Sequence, residues 1–193
     1  LLNQGDRLDQ AGYFVDPDSA AWTTLVDYGD GTGLQPLSFA PSEHSDDAPD
    51  SDQYPASATH YDFDLGHDYA LPGVYNVTVS AVDNGQIVGT GALQVTVVNQ
   101  APQATFSVFS VASPAAEGQL VTLAGSFTDA GASDTHTVQV DWGDGSPLSF
   151  ATVNPATRTI AATHIYVDDA PTNTALDQYR IQVTVTDNFG ASD

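Results

Sequence analysis

Cysteine is missing from this sequence, and so are methionine and lysine. Without cysteine there can be no disulfide framework and no thiolate metal site. The basic residues are only Arg7, Arg158 and Arg180, against 25 acids, for a formal net charge of −22. A charge of that sign and size repels phosphate backbones and anionic lipid surfaces, which disfavours nucleic acid and anionic membrane as partners. No apolar run reaches the length of a membrane-crossing helix, and no signal-peptide pattern appears. The sequence is read as a fragment whose targeting and anchoring segments lie elsewhere. Glutamate is scarce as well: Glu43 and Glu117 are the only two. Glutamate favours helices and aspartate favours turns, so the bias points to loops between strands. High salt, which screens self-repulsion, or millimolar divalent cations, which bind carboxylates, would suit such a surface.

What is present is a repeat. Gly12-Tyr13-Phe14-Val15-Asp16 matches Gly125-Ser126-Phe127-Thr128-Asp129. Val26-Asp27-Tyr28-Gly29-Asp30-Gly31 matches Val140-Asp141-Trp142-Gly143-Asp144-Gly145, and His67-Asp68-Tyr69 matches His164-Ile165-Tyr166. The stretch from Tyr75 to Asp83-Asn84 matches that from Tyr179 to Asp187-Asn188. Four matches in one order mean two copies of one unit. The boundary is placed at Asn99-Gln100-Ala101-Pro102, which gives units of residues 1–99 and 100–193. So short a linker predicts a stiff pair. Within each unit the apolar residues alternate: Tyr75, Val77, Val79 and Ala81 on one face, Tyr179, Ile181, Val183 and Val185 in the second copy, and Val138, Val140 and Trp142 upstream. One dry and one wet face per strand predicts two antiparallel sheets packed face to face. The fold class is therefore all-β, two tandem β-sandwiches, with Tyr28 and Trp142 in the cores.

The strand-end motif Asp27-Tyr28-Gly29-Asp30-Gly31, its second copy Asp141-Trp142-Gly143-Asp144-Gly145, the later His67 and Tyr69, and Pro72-Gly73-Val74-Tyr75-Asn76-Val77-Thr78-Val79 together resemble PKD domains. The second unit keeps His164, Tyr166 and residues 179–185 but has a longer segment, residues 167–178, where the first has Ala70-Leu71-Pro72-Gly73. The resemblance implies an immunoglobulin-like sandwich of the PKD type. It also implies an extracellular or cell-surface, non-catalytic role as spacer or adhesion module. Phe127-Thr128-Asp129 and Asp134-Thr135-His136-Thr137 look like repeats of very long bacterial surface proteins. Against that pattern the first unit lacks its first strand and the second its last. Fragment ends account for this, and strand exchange between subunits is the rival account.

Three groups of residues are candidates for chemistry. Asp27, Gly29, Asp30 and Gly31, with Asp141, Gly143, Asp144 and Gly145, form a turn motif in which the carboxylate is expected to fold back on its own backbone. His67 and His164 are expected to be structural hydrogen-bonders. The second group is a set of acids in loops that a sandwich brings to one pole: Asp16, Asp18 and Asp83 in the first unit, Asp129, Asp134 and Asp187 in the second. Converging carboxylates suit Ca²⁺, which takes six to eight oxygen ligands. The bland reading is solvated acids that cap turns. In the second unit this pole is expected to face the linker, where a cation would stiffen the joint. The third is the acidic insertion at residues 42–52, read as a solvated loop. No nucleophile elbow can be named, and carboxylate pairs are too frequent to signal glycoside chemistry.

The expectation is a non-catalytic structural or adhesion segment of a secreted or cell-surface bacterial protein, stiffened by calcium. Its partners would be neighbouring repeats or identical subunits, or an extracellular protein or polysaccharide. Two rivals stand beside it: a filament or surface-layer subunit joined by strand exchange, and a polysaccharide-binding module. The second needs a row of exposed aromatics, and the outward positions hold Thr, Asn, Gln and Asp instead.

Overall fold

A computed structural model describes residues 1–16, 22–42, 59–83, 86–109, 117–167 and 177–193. Two compact units result, Leu1–Val98 and Asn99–Asp193. The described residues form strands and turns, with no helix among them.

The first unit contains β1 (Leu2–Asn3), β2 (Arg7–Asp16), β3 (Trp22–Asp27), β4 (Gln35–Leu37), β5 (Phe39–Ser42), β6 (Thr59–Asp68), β7 (Gly73–Asp83) and β8 (Gln86–Val98). They make a five-stranded sheet in the order β1-β8-β7-β3-β4 and a three-stranded sheet in the order β2-β6-β5. The second unit contains β9 (Gln103–Phe109), β10 (Leu120–Thr128), β11 (His136–Asp141), β12 (Ser149–Phe150), β13 (Thr152–Asn154), β14 (Thr159–Ile165) and β15 (Gln182–Asp187). Its sheets are β13-β14-β10-β9 and β12-β11-β15. All pairings are antiparallel except that of β1 with β8. The protein is thus all-β, with two sheets per unit closing over apolar residues as a sandwich.

Alternation decides which residues enter the cores. Val26, Tyr28, Val77, Val95 and Val97 of one sheet meet Leu8 and Leu65 of the other. In the second unit Val121, Leu123, Val140 and Trp142 form one cluster, and Phe127, Val138, Ile160 and Val185 another. Leu123, Val140 and Val185 are wholly buried and Trp142 is 1% exposed. Each such side chain contributes roughly 1.5–3 kcal/mol relative to exposure.

Two details differ from simple alternation. The ladder expected from Tyr179 onward begins only at Gln182. The Tyr179 ring stacks on Tyr166 at 4.2 Å, as Tyr75, within β7, stacks on Tyr69 at the same distance. The unit ends also differ from each other. In the second unit β9 lies along β10, whereas among the described residues no strand lies along the outer edge of β2. Residues 191–193 turn back onto β15, with Val185 and Asp193 exchanging backbone hydrogen bonds of 2.8 and 3.0 Å.

Candidate functional site

The turn motif forms the same structure twice. Asp27 Oδ1 accepts from the Gly29 N–H at 2.8 Å, and Asp141 Oδ1 from Gly143 at 2.9 Å. Asp30 Oδ1 accepts from the Thr32 N–H and hydroxyl at 3.0 and 2.6 Å, and Asp144 Oδ1 from the Ser146 N–H at 3.0 Å. Gly29 and Gly143 have φ of 76° and 78°. A Cβ there would also lie 2.6 Å from the Asn76 carbonyl and 2.5 Å from that of Arg180. Glycine is therefore required twice over at both positions, by backbone angle and by space.

The other carboxylate oxygen reaches across the sandwich. Asp30 follows β3 in one sheet, and its Oδ2 meets Nε2 of His67, on β6 of the opposite sheet, at 2.8 Å. Asp144 and His164 repeat the pair at 2.7 Å. The imidazoles stack on Tyr28 and Trp142, centroid to centroid at 4.1 and 4.8 Å. A second tie runs parallel: the Tyr69 hydroxyl donates to the Tyr28 carbonyl at 3.2 Å, and Tyr166 to that of Trp142 at 2.8 Å. The expected structural role of both histidines is what the geometry shows. Their partner, however, is the motif aspartate itself, which sequence reasoning had assigned only to its own turn.

This environment sets the charges. Burial works to raise the Asp30 and Asp144 carboxyls. The hydrogen bonds from Thr32 and His67, and from Ser146 and His164, outweigh it and bring both down to about 2. Burial, then the charge of the neighbouring aspartate, pushes the phenols of Tyr69 and Tyr166 up to about 12.

The loop acids separate by unit. In the second unit Asp129, Asp134 and Asp187 converge, one carboxylate oxygen from each lying within 4.8 Å of the others. Asp129 and Asp134 share the loop after β10, and the sandwich brings Asp187, from the end of β15, to them. Asp129 accepts from the Gly131 N–H at 2.8 Å and meets His136 Nε2 at 2.7 Å. Asp187 accepts from the N–H groups of Phe189 and Ala191 and from Asn99 Nδ2, at 2.8, 3.0 and 2.8 Å. Burial alone would raise the Asp187 carboxyl; Asn99 and the backbone donors lower it instead. Arg158 donates to the carbonyls of Asp129 and Gly131.

In the first unit Asp16 ends β2 and Asp83 ends β7, but Asp18 lies outside the described residues, as does most of the 42–52 insertion. The positions matching Phe127, His136 and Arg158 hold Phe14, Trp22 and Tyr61, which pack as aromatics at 5.6 Å and 5.1 Å from Phe14. The two poles are therefore built from different chemistry, which the motif alignment did not reveal.

The second-unit acids suit a hard cation in size and donor type. Ligands 2.3–2.6 Å from one ion lie within about 5 Å of each other, as these oxygens do. Asn99, held to Asp187 through its amide nitrogen, keeps Oδ1 buried without a hydrogen-bond partner. In the first unit Asp83 Oδ1 is buried and unpartnered in the same way.

No known family profile matches the chain, and no curated protein matches it. Among solved structures the chain is similar to the C-terminal domain of the antigen I/II polypeptide BspA of Streptococcus agalactiae, at 10% identity and TM-score 0.29, over 100% of this chain and 91% of that one. It is likewise similar to the C-terminal domain of the antigen I/II-family protein AspA of Streptococcus pyogenes, at 10% identity and TM-score 0.33, over 99% and 91%. Scores this low carry no argument about function.

Proposed function

We propose that this chain is a pair of PKD-type modules serving as a non-catalytic, load-bearing or adhesive segment of an extracellular bacterial protein, with calcium stiffening the loop pole of the second unit. One observation carries the mechanical part: each unit ties its two sheets together with an Asp–His pair and a Tyr-to-carbonyl hydrogen bond, Asp30–His67 with Tyr69 and Asp144–His164 with Tyr166. A sandwich that only had to fold could rely on its apolar core. Cross-sheet polar ties add directional bonds that must break before the sheets slide.

Calcium would be held by Asp129, Asp134 and Asp187, with Asn99 Oδ1 as a neutral oxygen. Bound there, it would supply positive charge to a cluster of carboxylates that otherwise repel, in a chain of net charge −22. Extracellular modules bind this ion at roughly 10⁻⁴–10⁻³ M, which fits a protein working outside the cell.

Isothermal titration of the whole chain with Ca²⁺ tests the metal. Binding heat is expected, and it should fall sharply in Asp134→Asn. Single-molecule stretching tests the load-bearing role apart from it: His164→Ala should lower the unfolding force of one unit whether or not calcium is present. Unchanged force in that variant would remove the mechanical reading.

A further inference from the structure

We propose that the outer edge of β8 is a self-pairing site, at which two copies of this chain join edge to edge, antiparallel, about a two-fold axis through Thr90. The strand is 13 residues long, and β7 pairs with it over nearly its whole length. On its other side, among the described residues, only Leu2 and Asn3 pair with it, at Val97 and Val98. Among the described residues, no strand pairs with the row of backbone N–H and C=O groups upstream of those two positions. Gln86, Ile87 and residues 89–94 are all exposed, with Ile87 at 63%. An edge strand this long, open and uncharged is a template for another strand unless something blocks it, and Lys, Pro or an inward charge is the usual block. No Lys, Pro or charge occurs along β8, and its one irregularity is the register shift at Val88.

Three observations choose a second copy as the occupant. The first is charge. Residues 84–116 contain no ionisable side chain, in a chain whose net charge is −22. Over most of the chain two copies would bring carboxylates together, whereas this edge lets their backbones meet without doing so.

The second is the order of residues. Gln86-Ile87-Val88-Gly89-Thr90-Gly91-Ala92-Leu93-Gln94 reads the same in both directions by side-chain class: amide, aliphatic, aliphatic, glycine, threonine, glycine, aliphatic, aliphatic, amide. A two-fold interface places the same patch of both subunits against itself. With Thr90 opposite Thr90, Gly89 faces Gly91 twice, and the aliphatic and amide residues of each strand flank that centre on the other, with Ile87 and Gln86 offset by the shift at Val88. Threonine pairs and aliphatic pairs are favourable cross-strand neighbours. A register shift in the β7–β8 ladder falls beside Val88 and leaves the central glycine–threonine–glycine segment regular.

The third is the pair of glycines. Gly89 and Gly91 weaken a strand, and neither has the positive φ that would require glycine. A Cβ at either would meet nothing within 4 Å in its own chain. Gly89 borders the register shift at Val88, which accounts for it, but Gly91 lies in the regular part of the strand, where a glycine marks a place where another backbone comes close.

Because the chain has no cysteine, single substitutions report the register directly. Thr90→Cys should form an intermolecular disulfide under mild oxidation at least about tenfold faster than Gln94→Cys, since paired Cα atoms about 4.5–5.5 Å apart fall within disulfide reach and only Thr90 meets itself. Equal rates would overturn the proposal. Sedimentation velocity of the unmodified chain, from low micromolar to near-millimolar concentration, should show a monomer–dimer equilibrium that strengthens with salt. Thr90→Asp, which sets two carboxylates face to face, should abolish it, while Thr163→Asp on the exposed face of β14 should not. A chain that stays monomeric throughout, or a dimer that survives Thr90→Asp, would also overturn it.

Discussion

At the scale of single residues, the repeated aspartates explain more than their own turns. One carboxylate oxygen of Asp30 or Asp144 fixes the turn, and the other holds a histidine of the opposite sheet. Both carboxyls sit at about 2, below the ordinary value of 3.8. A folded-state value below the unfolded one means the unfolded chain binds more protons in between. The stabilisation is therefore complete above about pH 5 and is lost as pH falls from about 4 through about 2, on the order of 1–2 kcal/mol per turn after solvent screening. Urea denaturation across that range should show the decline, and the double variant Asp30→Asn with Asp144→Asn should flatten it. The phenols of Tyr69 and Tyr166 work in the opposite direction. Their values are raised to about 12, so their contribution is whole below pH 10 and disappears as pH rises towards 12. Phenolate absorbance should show Tyr69 and Tyr166 among the late-titrating tyrosines, ionising together with unfolding.

At the scale of elements, the strand-to-turn junction at Gly143 is constrained both by backbone angle and by space. Gly143→Ala would drive a Cβ into the Arg180 carbonyl at 2.5 Å and strain the backbone as well. Gly145 has a similar φ of 80° but nothing within 4 Å. Gly145→Ala should therefore cost only backbone strain, roughly 1–2 kcal/mol, and Gly143→Ala clearly more, as measured by chemical denaturation of each variant. The two copies also diverge at one element. Leu123 on β10 is wholly buried, while Gln10, its partner by repeat on β2, is exposed. Leu123→Ala should then cost about 2–5 kcal/mol, with Gln10→Ala close to neutral by the same assay.

For the molecule as a whole, charge dominates. A chain of net charge −22 repels itself in the compact state. Raising sodium chloride should raise the melting temperature by screening, and Ca²⁺ at matched ionic strength should raise it further. The additional rise should vanish with a chelator and be smaller in Asp129→Asn. Because a ligand that binds only the folded state stabilises it logarithmically, the increment should grow by about 1.4 kcal/mol per tenfold of free calcium above the dissociation constant. Scanning calorimetry would measure it.

Much of this was legible in the order of residues alone. Alternation along Val138, Val140 and Trp142 determined which side chains are buried, because a strand has only two faces and water selects between them, whereas along β7 Val77 is buried but so is Ser80 of the opposite face. The glycine–aspartate turns were legible for a similar reason: their hydrogen bonds span two residues. The histidine partners were not. Asp30 and His67 are 37 residues apart, and Asp144 and His164 are 20 apart, on different sheets. Only the closing of the sandwich brings them into contact. The meeting of Asp129, Asp134 and Asp187 was legible, because the repeat placed them in loops that a sandwich gathers at one pole, but their bonds to His136 and Asn99 were not. Local patterns record which face of a strand is dry. Which groups meet across the core depends on sheet stacking and register, and those are properties of the tertiary structure.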